Sequence, residues 1–135
     1  MSRFTFTFPK PLRSFGHSVW DLMRSTPLYR RTALLSALFV LLTLLLPLWR
    51  ILPLATDRPF IPLHYNVHFG IDQFGPWYDI FRIPALGLAL FIVNIFFQAA
   101  FYRREHVLSK FFAIATVVSE FILFVAMVLI VLLNL

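Results

Sequence analysis

Cysteine is absent from the 135-residue chain. That excludes disulfides, thiolate metal sites and cysteine nucleophiles, and it leaves the redox compartment unread. Charge is scarce: 13% of residues are Asp, Glu, Lys or Arg, against about 25% in ordinary soluble domains. Twelve basic residues face six acidic ones, for a formal net charge of +6. Glycine occurs four times, and no glycine-rich phosphate cradle, general acid–base pair or Ser/His/Asp set can be assembled. Apolar residues dominate instead, at 60% of the chain with 17 phenylalanines. A soluble domain of this size leaves roughly a third of its unfolded surface wet and could not hide so much apolar side chain. The composition points to lipid as a solvent and argues against an enzyme.

Three windows are long enough to cross a bilayer as helices, which takes about 20 mostly apolar residues. Residues 32–49 carry no charge, and the span extends to 55 if Arg50 snorkels to the headgroups. Pro47 should kink or end it. Residues 83–102 are uncharged, with Pro84 at a tolerable first-turn position. Residues 111–135 hold one charge, Glu120. The fold expected is an all-α membrane protein of three transmembrane helices. A basic N-terminal arm (1–31) precedes spans at 32–55, 83–102 and 111–135. An external loop (56–82) and a short cytoplasmic loop (103–110) join them.

Orientation follows from Lys and Arg. The arm and the 103–110 loop, on one side, share nine basic residues, whereas the 56–82 loop and its flank carry Arg50, Arg58 and Arg82, matched by Asp57, Asp72 and Asp79. The positive-inside rule then gives a cytoplasmic N-terminus and an external C-terminus. Trp49, Trp77 and Tyr78 would lie in the outer aromatic belt, Tyr29 and Tyr102 in the inner one. A cleaved signal peptide is the rival reading of the first span. Its apolar run and basic arm are long for one, and no small-x-small cleavage site precedes the loop.

Residues 4–8 read Phe-Thr-Phe-Thr-Phe, the alternation of a short strand, stopped by Pro9 and Pro11. Ser14 could cap a helix to about Ser25, ended by Pro27, with Phe15, Val19, Leu22 and Met23 on one side. The arm reads as an interfacial segment, apolar side in lipid and basic residues near anionic lipids of the cytoplasmic face. It has no dense Lys/Arg cluster or RNA-binding motif, so no nucleic-acid partner is expected.

Polar residues inside the last two spans form a ladder. Asn94 and Gln98 lie four residues apart, as do Thr116 and Glu120, so each pair shares a helix face. In an antiparallel hairpin, residues at equal depth have position numbers of constant sum. Asn94 with Glu120 and Gln98 with Thr116 share one sum, so the pairs can face each other. Interhelical hydrogen bonds of about 0.6–2 kcal/mol are the plain explanation. A functional Glu120 is the sharper one, since an intramembrane carboxyl is expensive and usually faces a cavity or partner. In its neutral form it could donate to Asn94.

In the external loop, apolar residues alternate with polar ones from Leu63 to Asp72, which predicts one extended, half-buried segment over 63–72. His64, His68 and Asp72 recur every four residues. A helix would align them as a metal triad; a strand would spread them about 13 Å apart, too far for one ion, and Gly70 favours the strand. No metal or other cofactor is therefore expected. Pro62-Leu63-His64-Tyr65-Asn66, with Asp72 eight residues after His64, resembles a motif of small prokaryotic membrane proteins. This is the Pro-x-His-Phe-Asn-x-x-Gly-x-x-Asp loop of the domain of unknown function in SdpI-type toxin-immunity proteins, where it also lies between the first two spans. Gly70 follows Asn66 by four residues rather than the family's three, and the further spans of that family have no counterpart here. The resemblance implies a bacterial plasma-membrane protein concerned with sensing or resisting envelope stress. The leading expectation is a non-enzymatic accessory or structural subunit that docks to another membrane protein, or to its own copies, through the polar ladder and the loop. An immunity or envelope-stress protein is the second, and a small oligomeric carrier or channel using Glu120 the third.

Overall fold

The computed structural model describes residues 10–57 and 59–134. It is mostly helical, in the order α1 (Lys10–Ser25), α2 (Pro27–Arg50), strands β1 (Phe60–Asn66) and β2 (Gly70–Pro76), α3 (Arg82–Phe101) and α4 (His106–Leu133). Three stretches are long and apolar enough to cross a membrane: Pro27–Leu54, Trp77–Phe101 and His106–Leu133. The all-α expectation needs one correction, because β1 and β2 form an antiparallel two-stranded sheet.

Local chemistry explains the element ends. Thr26 is extended (φ −143°, ψ 143°) and Pro27 opens α2, at the helix position where a missing N–H is harmless. The second helix thus begins before residue 32, and Pro27 both closes the arm helix and starts the next. Pro47 does not end α2. It lies one turn from the C-terminus, where Ile51 N–H still bonds the Pro47 carbonyl at 2.9 Å, and a 3₁₀ turn at Leu52–Leu54 follows. α4 starts a turn earlier than residue 111. The Ser109 hydroxyl donates to the Gln98 carbonyl at 2.9 Å, tying its first turns to α3, so residues 102–105 alone connect the two helices.

The segment expected as one extended run over 63–72 folds back on itself instead. Asn66 pairs with Gly70 across a three-residue turn, and Gly70 adopts φ 76°, the left-handed conformation such turns require. The Asn66 side-chain carbonyl accepts from His68 N–H at 2.9 Å and holds the turn. Nothing lies within 4 Å of a Cβ at Gly70, so the cost of a side chain there is conformational alone. Gly70→Ala is expected to destabilise the hairpin by about 1–2 kcal/mol. Hydrogen exchange should read this as faster exchange of β1 and β2 amides with α2–α4 unchanged.

α4 is the central helix and packs on both α2 and α3. It buries Ser109, Ala113, Thr116, Glu120, Met127 and Val131, spaced by threes, fours and sevens as an inter-helix seam demands. α2 offers Tyr29, Ser36 and Thr43 at seven-residue intervals, then Pro47. Small and polar residues predominate in this seam, alongside Tyr29, Met127 and Val131, while Leu34, Leu38, Leu41, Leu45, Phe96 and Ile122 face outward. Two apolar clusters close the ends. At one, Ile51, Ile61, Ile80, Met127 and Val131 seat the hairpin. At the other, Leu22 of α1 is buried with Tyr29 and Ala113.

That second cluster refines the arm. Its apolar side was expected in lipid, yet Leu22 packs into the bundle, and an Asp21–Arg103 contact at 3.4 Å fastens α1 to the α3–α4 connection. Arg24 stacks over Trp20 at 4.4 Å. Ser14 does not cap α1, which is already helical from Lys10; the alternating residues 4–8 and the side chain of Phe15 lie outside what the structure describes.

Candidate functional site

The polar ladder lies inside the bundle. Gln98 Nε2 donates to Thr116 Oγ1 at 3.3 Å, and Thr116 in turn donates to the Phe112 carbonyl at 2.6 Å. Both side chains are buried. This rung of the ladder meets as the constant-sum rule expects.

Asn94 and Glu120 are not hydrogen-bonded to each other. Asn94 is half-buried. Glu120 is fully buried, and neither carboxyl oxygen has a hydrogen-bond partner. Oε2 lies against Gly87 of α3, 2.8 Å from where a Cβ would stand. The carboxyl therefore points into the space that a glycine leaves open.

Ser36 belongs to the same layer. Tyr29 packs with Ala113, and Phe39 packs its ring 5.5 Å from Phe121 and 5.7 Å from Phe124. α2 and α4 thus run in the same direction, with Ser36 at the depth of Glu120. The Ser36 hydroxyl is buried and also unpartnered. Sequence reasoning passed over Ser36 and Gly87. The seven-residue spacing of Tyr29, Ser36 and Thr43 carried a signal for the first, and the lone glycine of a span for the second.

The hairpin gathers the loop residues at the opposite end from α1. A register shift around Leu63 breaks the regular pairing, and Leu63 lies over Gly75, where any Cβ would collide with it. His64 stands opposite Gln73, with Nδ1 2.6 Å from Asp72 Oδ1. The fold-back brings together two side chains that a straight strand, with neighbours four residues apart spread by about 13 Å, would hold about 26 Å apart. Facing a carboxylate, Nδ1 is the ring nitrogen placed to donate to Asp72.

His68 does not join them, because it sits in the turn with its backbone on Asn66. Among the described residues, no group of three His, Asp or Glu side chains gathers as a metal site. Pro62 offers its carbonyl to Asn134 Nδ2 at 2.9 Å, and Asn134 also caps the Ile130 carbonyl at 2.8 Å. That clamp between α4 and β1 was not anticipated. Tyr65 pairs with Ile71. The turn presents Val67 and Phe69, 84% and 83% exposed, the largest exposures among the large apolar side chains described.

Comparison with protein families, with characterised proteins and with solved structures found no match.

Proposed function

We propose that the chain is a multi-pass protein of a prokaryotic plasma membrane, with the N-terminus cytoplasmic and the C-terminus external. In this reading it acts without catalysis, as an accessory or structural subunit of a membrane assembly. One observation carries it: the helices bury Ser36, Thr43, Gln98, Ser109, Thr116 and Glu120 and turn Leu and Phe outward. Water would make that arrangement costly on both faces. In hydrocarbon the outer surface costs nothing, and small or polar residues are what bring helices together.

Gln98, Thr116 and Glu120 of the ladder are buried within the chain, so docking falls to the hairpin. Phe60, Phe74 and the Val67–Phe69 turn offer an exposed apolar surface to another membrane protein or a second copy. The basic arm end, with Arg24, Arg30, Arg31, Arg103, Arg104 and Lys110, suits anionic lipids of the cytoplasmic leaflet. The envelope-stress reading draws support from the loop motif, whose His64, Asn66 and Asp72 all act within one hairpin.

A chain without cysteine makes the test clean. Val67→Cys and Val107→Cys replace two highly exposed residues at opposite ends of the bundle. An impermeant maleimide on intact cells should label the first and reach the second only after permeabilisation. The reverse pattern inverts the topology, and release of the protein by alkaline carbonate removes the membrane reading. Affinity isolation in mild detergent should recover a membrane partner or a homo-oligomer, lost in Phe69→Ser. A monomer that isolates alone overturns the docking role.

A further inference from the structure

Between the hairpin and the end of α4 runs a groove of about 540 Å³, within the size range of small-molecule sites. Leu63, His64 and Tyr65 form one wall, and Ala126, Leu129 and Leu132 of α4 the other. We infer that this groove holds one amphiphile, its acyl chain along α4 and an ammonium head group on the His64–Asp72 pair. The inference rests on the membrane reading above.

Two observations select that occupant. The α4 wall is continuous with the outward face of the helix, since Leu129 is 62% exposed and Leu132 59%. An occupant therefore enters sideways, from whatever surrounds α4. In a bilayer that is hydrocarbon, where an acyl chain is at home. A peptide strand would carry backbone N–H and C=O groups that nothing there satisfies. His64 lines the groove and bonds Asp72, so a head group at the His64 end of the groove meets that pair at its rim.

The rim sets the head-group chemistry. Asp72 uses Oδ1 on His64 Nδ1, leaving its other oxygen as an acceptor. Residues 60–76 contain no Lys or Arg, so the hairpin itself brings no fixed cation to neutralise the carboxylate. Such a pair is never net positive, so it offers a purely anionic head group no attraction and favours a donor that carries positive charge. A primary ammonium offers both charge and N–H bonds. A trimethylated ammonium has the charge but no proton to donate.

The test uses the full chain, purified in mild detergent and stripped of lipid. It is titrated separately with ethanolamine, choline and glycerol phospholipids of identical acyl chains, and bound lipid is counted by native mass spectrometry. One ethanolamine lipid per chain should be retained about tenfold more tightly than the other two, as one charge-assisted hydrogen bond allows. Asp72→Asn, at an exposed position, should bring the ethanolamine lipid down to the level of the choline lipid. Ala126→Trp should fill the groove and abolish retention of all three, with its helical circular dichroism unchanged.

Equal retention of the three lipids, or an Asp72→Asn protein that keeps the preference, overturns the head-group assignment. If Ala126→Trp leaves lipid bound but turns a dimer into a monomer, the groove belongs to a second copy and the inference fails. A protein that resists carbonate extraction yet retains no lipid overturns this inference alone. One that carbonate releases overturns the membrane reading as well.

Discussion

Glu120→Met is expected to stabilise the fold by about 1–3 kcal/mol, the usual cost of a buried polar group without a partner. The wild-type carboxyl is fully buried and both its oxygens lack hydrogen bonds. Methionine matches the length and approximate volume of glutamate and brings no polar oxygen. Glu120→Gln should give no such gain, because the amide keeps polar atoms in the same place. Reversible unfolding in mixed detergent micelles reads the difference directly.

The sign of that change separates the readings of Glu120. A ladder in which Glu120 bonds Asn94 predicts that Met destabilises, since a bond is lost and Asn94 is stranded. The observed geometry, with Oε2 against Gly87, predicts the opposite. If Met stabilises the purified chain while abolishing its role in cells, the carboxyl is retained at the expense of stability. The carrier reading requires that outcome. If Met stabilises and the role survives, Glu120 is a tolerated polar residue and the carrier reading falls.

The two rungs of the ladder also mark what a sequence can and cannot reveal. Gln98 and Thr116 meet because a short connection fixes antiparallel depth, and depth is arithmetic on residue numbers. Asn94 and Glu120 miss because side-chain direction depends on empty space, and Gly87 supplies that space without leaving a trace in hydropathy. The three long apolar helices were legible for a related reason: long uncharged runs of that length have few alternatives to a helix.

The hairpin was not legible because its alternation continues unbroken through the turn. Val67 and Phe69 keep the apolar phase of Leu63 and Tyr65, so period-two counting sees one strand where the chain reverses. The signal that counts is Asn66 followed four residues later by Gly70. One holds the turn backbone and the other supplies positive φ. The same fold-back turns residues eight apart in sequence, His64 and Asp72, into a bonded pair.

Gly87→Leu should destabilise the bundle by about 1–3 kcal/mol, the usual cost of forcing extra methylenes into a packed contact. A Cβ at Gly87 would stand 2.8 Å from Glu120 Oε2 and 3.4 Å from Leu123 Cδ1. Gly87→Ala is the mild case, because the tight neighbour is the end of a flexible side chain. Alanine also favours a helix over glycine by about 1 kcal/mol, which offsets the contact. Leucine must push beyond the Cβ position, and with the carboxyl in place the helices have to separate. Separation would also stretch the Gln98–Thr116 bond, already 3.3 Å.

Truncating Glu120 to Ala opens that space, so Gly87→Leu should cost less in a Glu120→Ala background than in the wild type. The coupling from the four unfolding free energies should reach about 1 kcal/mol, within the range found for residues in contact. Leu123 remains in place, so the rescue is partial. Strict additivity of the two substitutions would show that Glu120 does not occupy the space beside Gly87. A buried carboxyl held only by a missing side chain would then lose its structural explanation.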